Sequence, residues 1–109
     1  MTVLAGPFLI AHGLVHLAVW VAPAPPDAPF DSRHSWLLGD VGALSRAAAV
    51  IACGILVISG VLVLADVGPG AVLAATGAGL SLLLVLITFH AWFIAAVGID
   101  VAIIVIALA

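Results

Sequence analysis

The sequence predicts an all-α protein, an integral membrane four-helix up-down bundle. Three observations lead there. Of 109 residues, 67% are apolar and 6% charged, far too little polar surface for a water-soluble domain of this size. Four apolar stretches approach the roughly 20 residues that a helix needs to cross a bilayer. Two of the three connections between them are short, which forces neighbouring spans to run antiparallel.

The first span covers residues 3–22. Pro7 is tolerated near its start, because the first turn of a helix has no acceptor for the missing N–H. Ala22-Pro23-Ala24 resembles a signal-cleavage site. No basic residue precedes the apolar run, however, and the run is long for a signal core, so a retained helix is expected. The second span covers 45–65, with Ser45 as its expected N-cap and Asp66 just beyond its end. The third covers 70–87, after the Gly68-Pro69-Gly70 turn, and the fourth covers 92–109. All four form one membrane domain, residues 1–109.

The one long connection is the polar loop 23–44. Its proline-rich first half is expected to be extended. Its second half, around Ser35 to Gly39, reads as a short segment lying in the membrane interface.

An up-down arrangement puts this loop and the third connection on one face of the membrane, here called side A. Trp20, Trp36 and Trp92 all fall there and read as interfacial anchors, since an indole is apolar but its N–H wants a partner. Both basic residues, Arg33 and Arg46, lie on side A as well. The positive-inside rule therefore places loop 23–44 in the cytoplasm. A multi-pass protein of the cell membrane is expected, and a lysine-free, alanine- and valine-rich chain points to a bacterium with a GC-rich genome.

Charge excludes some functions. Two arginines, no lysine and five aspartates give a formal charge of −3, which offers nucleic acid no binding surface. The lone Cys53 cannot form an intrachain disulfide and reads as a small apolar residue. No phosphate loop, nucleophile elbow, cysteine pair or His-Glu-x-x-His motif names a reaction, so catalysis is not expected.

Function is instead sought in polar groups where lipid makes them costly. An Asp at mid-span costs about 2.5–3.5 kcal/mol on insertion scales. His12, His16 and Asp100 are the residues in that position. The two histidines are four apart and share a helix face, with Gly13 beside them to admit a neighbouring helix. At about 1.5 Å per residue, His16 lies about 9 Å, Asp100 about 12 Å and His12 about 15 Å below side A. The carboxylate therefore falls between the imidazoles in depth, provided the first and last spans are neighbours.

Several chemistries suit such a trio. An Asp–imidazole pair can hold and release a proton, with His34 and His90 continuing a path to side A. Two imidazoles and a carboxylate also fit the first shell of a divalent metal. Haem is a further cofactor option, needing a second histidine from another helix or another copy. The alternative is structural: a hydrogen-bonded cluster that specifies packing in a non-catalytic anchoring or stabilising subunit of a larger membrane complex.

Small residues mark the expected packing faces. Ser45, Ala49 and Cys53 recur every four positions, as do Ala71, Ala75 and Gly79, and either stripe suits the bundle or a homodimer. Ser59, Thr76, Ser81 and Thr88 are expected to bond back to their own helices. The bilayer itself is the first partner.

Overall fold

The computed structural model describes residues 2–23 and 25–109; Ala24, within the expected extended run, lies outside them. Four helices pack in sequence: α1 (Thr2–His16), α2 (Gly42–Leu64), α3 (Gly70–Ile87) and α4 (Ile94–Leu108). α1 continues as a π-helical segment over Leu17–Val21, and α4 is preceded by a 3-10 turn over Ala91–Phe93. Four segments are long and apolar enough to cross a membrane: Leu4–Val21, Gly42–Leu64, Gly70–Ile87 and Ala91–Leu108. Large aliphatic side chains cover the outside, with Leu4, Val72, Ile94 and Leu108 all well exposed, as suits a surface meeting lipid rather than water.

Each helix packs along the next, α1 on α2, α2 on α3 and α3 on α4. The backbones of α1 and α4 scarcely approach, so side chains alone bridge that seam. Two apolar clusters fill the interior. Leu9, Leu56, Ala74, Ala78 and Ile103 occupy the half away from the loop, while Trp20, Ala49, Leu84, Val85 and Phe93 occupy the half beneath it. The polar site lies between them.

Glycine sets the closest approach. A Cβ on Gly13 would lie 3.0 Å from Leu56 Cβ and 3.1 Å from the Cys53 carbonyl. Gly60 crosses α1 nearer its start, where an added Cβ would lie 2.6 Å from the Gly6 carbonyl. Without a hydrophobic effect between spans, such close backbone contact is what holds helices together in lipid.

Local structure departs from expectation at three places. α2 begins at Gly42, so Ser45 is no N-cap; it sits inside the first turn and its hydroxyl donates to the Gly42 carbonyl at 3.2 Å. The stretch around Ser35–Gly39 is a tight hairpin, with β1 (His34–Ser35) antiparallel to β2 (Gly39–Asp40). Gly39 takes the left-handed conformation there (φ 80°), and the buried Ser35 hydroxyl accepts from the N–H groups of Leu37 and Leu38. The hydroxyl satisfies donors that an interfacial helix would have used internally. On α3 the buried stripe is Gly70, Ala74, Gly77, Ala78 and Ser81, rotated from Ala71, Ala75 and Gly79. Gly79 faces open space. The Ser45, Ala49 and Cys53 stripe of α2 is buried as its spacing implies.

Between α2 and α3 the chain turns through a Schellman motif. The Val67 N–H bonds the Leu62 carbonyl at 2.9 Å and the Asp66 N–H bonds the Val63 carbonyl at 3.1 Å. Asp66 holds the left-handed position (φ 57°) that glycine usually fills. Pro69 then opens α3, its carbonyl accepting from the Leu73 N–H.

Candidate functional site: a buried imidazole–carboxylate cluster

The three mid-span ionisable residues meet in the structure. His12 Nε2 lies 2.7 Å from Asp100 Oδ1. Asp100 is completely buried, although α4 leaves most of its surface exposed. Its backbone position on α4 turns the carboxylate inward, against α1 and α3. His12 and His16 rise from α1 one turn apart with their rings edge to face, centroids 5.2 Å apart.

His16 does not reach the carboxylate directly. Its Nδ1 donates to the His12 carbonyl at 2.9 Å, and its Nε2 lies 2.7 Å from Ser81 Oγ. Ser81 Oγ in turn lies 2.7 Å from Asp100 Oδ2. One continuous chain therefore runs His12, Asp100, Ser81, His16, drawn from α1, α3 and α4. His16, Ser81 and Asp100 are each at most 2% exposed. Among the described residues no buried side-chain nitrogen or oxygen lacks a partner.

Ser81 is the member of the cluster that the sequence does not single out. It was expected to bond back along α3, as Ser59, Thr76 and Thr88 do, to Leu56, Val72 and Leu84 respectively. The signal for it was the register of the small residues. Gly77 and Ala78 bring α3 close to its neighbours, and a hydroxyl one turn further on the same face is held at that close approach.

This geometry does not fit a metal. Each Nε2 is engaged in a short hydrogen bond, and His16 reaches Asp100 only through Ser81. Among the described residues no three His, Cys, Asp or Glu side chains form a ligand group, whereas a structural or catalytic centre needs at least three converging donors. The same bonds withhold both Nε2 atoms from a haem iron.

Towards side A the site continues as a stack of rings. Trp20 lies against His16 with centroids 5.4 Å apart, Phe93 lies 5.4 Å from Trp20, and Phe30 from the loop lies 4.8 Å from Phe93. Trp20 is therefore no interfacial anchor. It is buried at 5% exposure, and its indole N–H donates to Thr88 Oγ1 at 3.3 Å. The π-helical turn that carries Trp20 widens the helix just beyond His16, and such bulges recur at functional sites. Trp36 and Trp92 are exposed, and the Trp36 N–H clips the loop to the Leu86 carbonyl at 2.7 Å.

His34 and His90 do not join the buried cluster. They face a shallow cavity of about 440 Å³ on side A that Phe30, Asp31, Trp36 and Thr88 also line. His90 caps the 3-10 turn, its Nδ1 accepting from the Trp92 N–H at 3.2 Å. Thr88, almost fully buried, touches both this cavity and Trp20.

No protein-family model, curated protein or solved structure matches the chain.

Proposed function

We propose that this protein is a multi-pass protein of a bacterial cell membrane that binds or transports a small solute in exchange for a proton held at the His12–Asp100–Ser81–His16 cluster. One observation carries the reading: three ionisable side chains lie in a single hydrogen-bonded chain at the centre of a bundle of membrane-length helices. Ionisable groups at that depth are costly and recur along proton and substrate pathways. The side A cavity, with His34 and His90 at its wall and Thr88 beneath, supports an entry route from the face that carries loop 23–44. That face is taken as cytoplasmic on the strength of Arg33 and Arg46.

The test uses purified protein in vesicles loaded with a pH-sensitive dye and challenged with a panel of small organic solutes. A solute-triggered pH change that Asp100→Asn abolishes supports the proposal. A silent wild type across the panel, or an Asn variant that responds like wild type, removes it.

A second reading is favoured by the completeness of the cluster, in which no buried polar atom is left open. The chain would then be a non-catalytic subunit anchoring a larger membrane complex or a homodimer, its cluster fixing the helix register. Under that reading Asp100→Leu lowers stability without altering any flux.

A further inference from the structure

We propose that Asp100, Ser81 and His16 share one excess proton, which the Ser81 hydroxyl hands between the carboxylate and the imidazole. The inference deepens the proton-exchange reading and depends on it for its purpose, while the proton count itself follows from the bonding.

Two short gaps need filling, Asp100 Oδ2 to Ser81 Oγ and Ser81 Oγ to His16 Nε2, each of 2.7 Å. Two bare lone pairs at that distance repel, so each gap must contain a hydrogen. Serine owns only one. The second hydrogen resides on Asp100 Oδ2 or on His16 Nε2. It cannot be the ordinary hydrogen of a neutral imidazole, because Nδ1 already uses that one to donate to the His12 carbonyl. Flipping the ring would turn carbon towards both partners and lose both bonds, so the ring orientation is fixed by the network.

With the His12 Nε2–H donating to Asp100 Oδ1, two arrangements satisfy every bond. In one, Asp100 is a neutral acid whose Oδ2–H donates to Ser81, and Ser81 donates to the bare Nε2 of a neutral His16. In the other, Asp100 is a carboxylate that accepts from Ser81, and Ser81 accepts from the Nε2–H of an imidazolium. They interconvert by a concerted shift. The Oδ2–H bond breaks as a hydrogen moves to Oγ, the former Oγ–H bond breaks as its hydrogen moves to Nε2, and no atom is gained or lost. His12, in the tautomer whose Nε2–H donates to Oδ1, serves both states unchanged. No other titratable side chain from α2 or α3 enters the chain of bonds; Cys53 is the one such group buried in α2, and α3 has none. Ser81 is thus a relay residue, and the pair it joins can change its charge separation without exchanging anything with the surroundings.

The count is measured on wild-type protein in lipid nanodiscs at neutral pH, with no solute and no gradient. Infrared absorption of the carboxylic-acid C=O stretch, assigned through Asp100→Asn, gives the protonated fraction of Asp100. Nitrogen-15 NMR of labelled imidazoles, assigned through His16→Gln, gives the imidazolium fraction of His16. The two fractions are expected to sum to one. A sum near zero or near two overturns the inference. Ser81→Ala is expected to shift the sum away from one and Ser81→Thr to restore it, whereas an unchanged sum in Ser81→Ala overturns the relay. A sum of one in a protein that gives no vesicle response would remove the transport reading alone.

Discussion

Asp100 has neighbours that discriminate between its substitutes. Asparagine can reproduce the neutral-acid arrangement: its carbonyl accepts from His12, and its amide donates to Ser81, which then donates to His16. Asp100→Asn is therefore expected to fold within about 1 kcal/mol of wild type and to lose proton exchange. Leucine offers neither contact. It leaves the His12 N–H without its acceptor and the Ser81 hydroxyl with its His16 bond alone, in an interior that excludes water, and the cost is expected to be about 2–4 kcal/mol. Unfolding in mixed micelles would separate the two variants, and a leucine variant as stable as wild type would contradict the bonding described. At this scale the sequence was informative wherever cost gave the signal. His12, His16 and Asp100 were conspicuous because each is expensive in lipid, whereas Ser81 is cheap there and so gave no warning. Trp20 was misplaced for a related reason: an indole ends up in the interface or in the interior according to whether a partner such as Thr88 waits inside.

Elements were legible in extent and less so in rotation. Span lengths follow from bilayer thickness, and α3 occupies Gly70–Ile87, as its flanking turn implied. The face a span buries is harder to read, because helices that are apolar all round have almost no amphipathic period to report it. That is why the α3 stripe was placed one position off, on Ala71, Ala75 and Gly79. The observed rotation makes a paired prediction. Gly13→Ala puts a methyl against Leu56 and the Cys53 carbonyl and is expected to cost about 1–3 kcal/mol through overpacking. Gly79→Ala meets nothing within 4 Å and is expected to stabilise α3 by about 0.5–1 kcal/mol. Equal effects from the two would contradict the helix packing described. At the end of α2, Asp66 pays for a left-handed conformation that glycine adopts freely. Asp66→Gly is expected to raise stability by up to about 1 kcal/mol, read as a shift in the thermal midpoint.

As a whole, the molecule is an open series of packed helices closed by side-chain bridges between its first and last members. Loop 23–44 covers the side A end, where Phe30 reaches down to Phe93 and Trp36 ties the hairpin to the end of α3. This makes orientation testable with one probe. Cys53 is buried and contributes little background, so Asp27→Cys gives a single exposed thiol on side A. A membrane-impermeant maleimide is expected to label it in inverted vesicles and not in intact cells. The reverse pattern would turn the protein over, and equal labelling from both sides would reveal dual insertion.

The His12–Asp100 contact joins residues 88 positions apart, and this sets an order of events during synthesis. The imidazoles leave the ribosome first, before there is a carboxylate to meet them. The first three helices already pack in a row, so the last one arrives as a keystone. Before it arrives His16 already has its partners on the first and third helices, and His12 Nε2 alone waits for the carboxylate.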